Sequence, residues 1–369
     1  MRTARTHLAG TAVWLVLLAG CQRTPAAPPV IGVAYPRWVA PYVTEAESTL
    51  RRTWGDSATL PRFLYDTLLV PETADRTVAW TQELLHEPGL AVIVGPSASH
   101  TALAVAPAIN TAAIPQLIPN ATLRQLDQLG PWTFRLVAND SVEAAFLVRQ
   151  VAVRRALRRV LVLFVNDAYG QGMRSALHDE LTRSGLTLTA ELSVSATSDF
   201  ETLLRSEFEH RPPDAVIGAF RNTELAPAAR ALVRLGSRRP IFVSDGAFGP
   251  RALHAVAPRL PFEVYGVAFW LPAAGDTAAE VFRARFKAVT GWDPRPEDVL
   301  IHDALILAAT GVRATAGDPH ALRLWLLSLG GARPSFPGIG GPIDLAAPNR
   351  RPFHLGRFVG EDAVPAELP

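Results

Sequence analysis

The sequence predicts an α/β protein of two lobes, each built on a doubly wound parallel sheet. Three observations lead there. From Val30 onward, short apolar runs alternate with longer amphipathic ones, the pattern of repeated right-handed βαβ units. The short runs are continuous and rich in Val, Ile and Leu, with little polar alternation, as expected of strands covered on both faces. At 369 residues the chain also exceeds what one hydrophobic core fills, since single cores stop growing at about 250 to 300 residues.

The first half reads strand 31–34, helix 43–52, strand 62–65, helix 74–85, strand 91–94, helix 101–110, strand 115–118 and helix 141–154. The second reads strand 160–165, helix 173–184, strand 186–192, helix 200–209, strand 215–219, helix 224–235 and strands 241–243 and 264–268. Three helices follow, 278–289, 299–315 and 319–329, then a Gly-, Pro- and Arg-rich stretch to 352 and a last strand at 353–359. Asp140-Ser141, Ser198-Asp199 and Asp318-Pro319 offer side-chain acceptors to unpaired amides at helix starts, and Pro319 is pre-set for a first turn. Gly185 and Gly236 sit where two helices should stop. Gly338-Ile339-Gly340-Gly341 reads as a turn before Ile343; with no strand before it and no helix after it, it is not a phosphate loop.

The N-terminus reads as a processing signal. Arg2 and Arg5 precede an apolar stretch from Leu8 to Gly20, too short to span a bilayer, and Leu18-Ala19-Gly20-Cys21 closes it. That run resembles a lipobox, which implies removal of residues 1–20, lipidation of Cys21 and a membrane anchor on an exported protein. Residues 21–29 then form the lipidated cysteine and a Pro-rich tether. Cys21 is the single cysteine, so no internal disulfide, thiol catalyst or Cys-based metal site is available.

Charge and motifs exclude much else. With 36 basic and 34 acidic residues the formal charge is only +2. No basic stripe interleaved with aromatics suggests nucleic acid. No Gly-x-Ser-x-Gly elbow occurs, and His86-Glu87 lacks the second histidine of a zinc helix. His302 beside Asp303 lies in an apolar helical stretch and reads as a satisfied histidine rather than a base. The chain is therefore expected to be no enzyme, with no metal and no cofactor.

What remains is a set of polar residues just past predicted strands: Ser97 and Ser99, Asn120 and Thr122, Asp167 and Tyr169, then Ser244 and Asp245. In open α/β sheets ligands bind outside the carboxyl ends of strands, so these groups can converge on one small polar molecule. Ser99 at a helix start, with free backbone donors around it, suits a carboxylate, or simply caps its own helix. Asp245 is either an anion for an ammonium group or a turn residue before Gly246, and Tyr169 is either a ligand contact or a packed aromatic.

Val94-Gly95-Pro96-Ser97, Pro119-Asn120-Ala121-Thr122, Asn166-Asp167-Ala168-Tyr169-Gly170-Gln171-Gly172 and Asp199-Phe200, read in one frame, resemble the branched-chain amino-acid binding family, the type I periplasmic solute-binding proteins of ABC transporters. The likeness is strong from Ala91 to about Gly266 and thin before it. It implies two Rossmann-like lobes joined by about three hinge crossovers, near Ala138, near Val267 and between Ala332 and Ile343. Lobe one would hold 30–138 and 268–332, lobe two 139–267 and 333–369. It implies Ser99 and the backbone around Asn120 on a ligand carboxylate, Thr122 on carboxylate or amine, Tyr169 closing from the second lobe and Asp245 on the α-ammonium.

Departures from the family bear on the ligand. Arg221 follows the strand ending at Ala219 and carries a fork suited to a second carboxylate, which admits an anionic ligand; a solvated arginine at the cleft mouth is the other reading. Tyr35 and Trp38 replace the usual small loop and either stack on a ligand or cover the core. The expected function is an amino-acid or small-carboxylate receptor, lipid-anchored through Cys21 on the periplasmic or cell-surface face and partnered by ABC permease subunits. The alternative is a ligand-sensing or scaffolding envelope lipoprotein of the same fold.

Overall fold

The computed structural model describes residues 27–366 apart from 69–72, 155, 250–251, 254–255, 257–259, 274 and 361. The expected signal peptide, lipidation at Cys21 and most of the tether lie outside the described residues.

Five parallel strands, β1 (Val30–Val33), β2 (Arg62–Tyr65), β3 (Leu90–Val94), β4 (Gln116–Ile118) and β5 (Thr133–Arg135), form a first sheet in the order β2-β1-β3-β4-β5. A second sheet of seven strands runs β14-β13-β10-β9-β8-β6-β7. Its members are β6 (Arg159–Val165), β7 (Thr187–Val194), β8 (Ala215–Ala219), β9 (Ile241–Val243), β10 (Val264–Ala268), β13 (His354–Val359) and β14 (Asp362–Pro365). Strands β6 to β10 are parallel, and β13 and β14 add an antiparallel edge. A small hairpin, β11 (Phe336–Gly338) with β12 (Gly341–Ile343), stands apart. The central strands are fully buried runs such as Leu-Ala-Val-Ile-Val in β3, so burial on both faces explains their unbroken apolar sequences.

The helices are α1 (Ala40–Trp54), α2 (Ala74–Leu84), α3 (Ser99–Thr111), α4 (Asp140–Ala152), α5 (Ala168–Arg183), α6 (Phe200–His210), α7 (Asn222–Arg234), α8 (Thr277–Thr290), α9 (Pro296–Ala314) and α10 (Pro319–Leu327). Asp199 and Asp318 cap α6 and α10 as expected. At α4 the cap is Asn139, whose side chain accepts from the Ser141 and Val142 amides, and Asp140 is turned inward instead. Gly185 and Gly236 take the left-handed conformation that ends α5 and α7.

Helix α5 starts five residues before the predicted helix at 173, through Gly170 and Gly172. A Cβ at Gly170 would lie 1.9 Å from the Val165 carbonyl oxygen, so only glycine lets the helix begin this close to β6. Helices α8 to α10 return to the first lobe, where Phe282, Phe286, Leu305, Ala308 and Leu322 share a core with Ile31, Val33, Tyr42 and Val92. Ile343 and Leu345 belong to that same core. Residues 333–345 were expected in lobe two, but hairpin burial against α9 keeps them with lobe one and moves the third crossing to the chain after Leu345.

Two crossings are tied together. Arg351, 4 % exposed, donates to the carbonyls of Leu136 (3.2 Å) and Gly340 (2.9 Å) and lies 3.5 Å from the Asp303 carboxylate. Asn349 accepts from Arg135 Nη2 at 3.0 Å and from the Asn139 amide at 3.2 Å. Asp303 also accepts from the Ile339 and Gly340 amides, which fixes the hairpin turn. His302, expected to be satisfied, sits 2.6 Å from Glu45 Oε2, both buried, and against that burial Asp303 and Glu45 raise its pKa.

Candidate functional site

The carboxyl ends of β3, β4, β6, β8, β9 and β10 point into one cavity of about 350 Å³ between the lobes. It is lined from lobe one by Ser97, Ser99, Asn120 and Glu297, and from lobe two by Tyr169, Arg221, Asn222 and Asp245. Phe269 and Leu300 supply apolar wall. A larger groove of about 650 Å³ lies outside it, between α8 and β14, walled by Trp270, Trp292 and several prolines. The inner cavity is the better candidate because convergent polar groups from both lobes meet there at strand ends.

On the lobe-one side Ser99 is the first residue of α3 and is 3 % exposed. The capping position is Ala98, and no side chain caps the helix. Ser99 therefore does not cap its own helix, and the start of α3 lies on the cavity wall with no side chain capping its first-turn amides, an arrangement that favours an anion. Asn120 follows β4, and its side-chain carbonyl oxygen is buried with no donor. Thr122 was expected here, yet it is 1 % exposed and does not line the cavity. Its backbone carbonyl accepts from the Asp140 amide at 2.9 Å. Tyr35 and Trp38 do not line it either: Tyr35 is buried with its hydroxyl on Ser97, and Trp38 packs edge-on against Tyr35 and Tyr42.

On the lobe-two side the Tyr169 hydroxyl lies 2.8 Å from Asp245 Oδ1 and 2.7 Å from Ser244 Oγ, and it accepts the Gly246 amide. The phenol is thus a positioning group for Asp245, with its ring edge on the cavity. Glu143, on α4 and wholly buried, accepts the Asp245 backbone amide at 2.7 Å. Burial raises the carboxyls of both Glu143 and Asp245, and the Asp245 charge raises Glu143 further. Hydrogen bonds from Tyr169 and Glu143 lower Asp245 in part against its burial, which favours its charged form.

Arg221 does not stand free for a second carboxylate. Its Nη2 and Nε lie 2.6 and 3.1 Å from Asp167 Oδ2, and its guanidinium rests 5.1 Å from the Tyr169 ring centre. Asp167 meanwhile caps α5 through the Gly170 amide. Arg221 thus reaches the cavity wall with two of its nitrogens engaged by Asp167, as a paired cation rather than a free one.

Behind the wall Asp140 is 1 % exposed, and neither of its carboxyl oxygens finds a hydrogen-bond partner. Burial pushes its pKa up to about 7, with the Thr122 hydroxyl lowering it in part and the Asp245 charge raising it. Among the described residues no three His, Cys, Asp or Glu side chains are arranged to hold a metal ion.

Glu143, Asn222 and Glu297 were not singled out from the sequence, and Asp167 was, but not as the partner of Arg221. A signal existed for Glu143: Asp140, Glu143, Ala144, Leu147, Val148 and Val151 form the buried stripe of α4, so an acid stands on an apolar face. Nothing in the spacing points to Glu297.

The model of the periplasmic binding protein family matches residues 72–360. No match was found among curated proteins. Among solved structures, the leucine-binding protein LivK of Thermotoga maritima superposes with a TM-score of 0.77 at 16 % identity, covering 92 % of this chain and 98 % of that one. The branched-chain amino-acid binding protein LivJ of Streptococcus pneumoniae, in complex with isoleucine, gives 0.75 at 16 % identity, covering 93 % and 99 %. A solute-binding protein of an ABC transporter from R. palustris, in complex with benzoate, gives 0.75 at 18 % identity, covering 93 % and 96 %. These likenesses carry the fold.

Proposed function

The chain belongs to the periplasmic binding protein family, and from that premise we propose that it is the extracytoplasmic receptor of an ABC importer, taking an α-amino acid into the cavity between its lobes. One observation carries the reading: an anion-seeking helix start at Ser99 and an anion at Asp245 face one cavity from opposite lobes. A zwitterion leaving water needs donors at one end and an anion at the other, or desolvation defeats binding. In this reading Ser99 and the backbone around Asn120 take the carboxylate, and Asp245, held by Tyr169 and the Gly246 turn, takes the ammonium. Thr122 acts from behind the wall. The lobes close about the tied crossings, and a permease reads that closure. Cys21 anchors the receptor to the membrane.

The test is titration calorimetry of the purified protein with single α-amino acids, followed by Asp245→Ala. The variant should weaken a bound amino acid by roughly 2 to 5 kcal/mol, because a buried ammonium loses its partner. An unchanged dissociation constant would refute the assignment of Asp245.

A further inference from the structure

The charges around the cavity do not balance for a neutral zwitterion. Its carboxylates among the lining residues are Asp245 from lobe two and Glu297 from lobe one, and its cation is Arg221. Arg221 is paired with Asp167. Glu297 lies 2.7 Å from Arg295 Nη1, but that guanidinium is already committed to Asp298, through Nη2 to Oδ1 at 2.8 Å and Nε to Oδ2 at 3.2 Å. Asp298 is wholly buried and also accepts the Tyr42 hydroxyl at 2.7 Å, so Arg295 cannot leave it without stranding an interior charge. One guanidinium therefore serves two carboxylates, and each lobe presents to the cavity one carboxyl group, Asp245 or Glu297, that has no cation to itself.

Burial raises the Glu297 carboxyl, Arg295 lowers it, and the charges of Asp298 and then Asp245 raise it again. Two carboxyl groups on the cavity wall, one from each lobe, ask for a ligand rich in N–H donors.

We propose that the cleft selects an α-amino acid whose side chain ends in a second amine or a guanidinium, with Asp245 on the α-ammonium and Glu297 on the distal cation. The inference rests on the amino-acid reading above and adds its substrate class. Such a ligand brings one carboxylate for Ser99 and two cations for the two lobes. It also removes the mutual repulsion of Asp245 and Glu297, which resists closure of the empty cleft. A branched apolar side chain would leave Glu297 facing hydrocarbon, and a dicarboxylate would add a third anion.

The experiment titrates wild-type protein and Glu297→Gln with lysine, ornithine, arginine, Nε-acetyl-lysine, leucine and benzoate. The proposal expects lysine, ornithine or arginine to bind best. Acetylation of the side-chain amine should cost wild type at least about 30-fold in affinity, the worth of one charge-assisted hydrogen bond. Glu297→Gln should shrink the preference for lysine over leucine by a similar factor. The acetylated ligand needs no variant, so a folding defect in Glu297→Gln leaves the test intact. If leucine or benzoate binds best and acetylation changes nothing, the cationic-ligand proposal falls. Binding of leucine would leave the amino-acid reading standing. If no α-amino acid binds, both fall.

Discussion

Replacing Asp140 by Asn should make the protein less sensitive to pH. Asp140 is buried, its oxygens have no hydrogen-bond partner, and its pKa rises from 3.8 to about 7. A folded-state pKa above the unfolded value means that the native state holds the proton more tightly. The stability this contributes is fully present below about pH 4 and is lost as pH climbs through 7. About three units at 1.36 kcal/mol each put the loss on the order of 4 kcal/mol. His302, raised by Asp303 and Glu45 against its burial, loses stability in the same direction as pH rises through its folded value. The assay is denaturant unfolding from pH 4.5 to 8, wild type against Asp140→Asn. Wild type should be markedly more stable at the acid end, and the variant should show a slope smaller by the Asp140 share and gain stability at pH 8, with Glu143, Asp245, Glu297 and His302 supplying the slope that remains. Parallel curves would refute the account of Asp140 as an unpaired buried acid.

Two further outcomes follow from the packing. Arg351→Met leaves the Leu136 and Gly340 carbonyls without their donor and should cost about 3 to 5 kcal/mol in denaturant unfolding; a loss below about 1 kcal/mol would show that the two crossings hold without it. Gly246→Ala places a Cβ 2.6 Å from the Phe220 carbonyl oxygen and 3.0 Å from the Tyr169 hydroxyl. That should displace the Asp245 turn, costing about 1 to 3 kcal/mol of stability and abolishing calorimetric binding of the wild-type ligand; retained affinity would place the ligand elsewhere.

The fold was legible because its parallel strands are buried on both faces, and such strands announce themselves as unbroken apolar runs: 160–165 was expected and Arg159–Val165 is found. The short edge strand Thr133–Arg135 was not, because three residues with a polar first member carry no periodicity. Ser99, Asn120, Tyr169 and Asp245 were expected together and do line one cavity, since each follows a strand whose carboxyl end faces the cleft. Thr122 follows a strand equally well, yet its side chain turns to the rear; strand position gives the loop, not the rotamer. Arg221 was read either as a cation for an anionic ligand or as a solvated arginine at the cleft mouth, and its pairing went unseen because Asp167 lies 54 residues away, beyond the reach of any local pattern.

The tie at Arg351 bears on how the chain matures. The first sheet is complete by Arg135, yet its core needs Phe282 and Leu305, and the bond from Arg351 to the Leu136 carbonyl joins residues 215 positions apart. Contacts so distant in sequence form late, after loop closure has cost its entropy. During synthesis and export, lobe one therefore waits half-built while the whole of lobe two emerges. A product ending before residue 351 would carry every residue of the cleft without the tie that sets the angle between its walls.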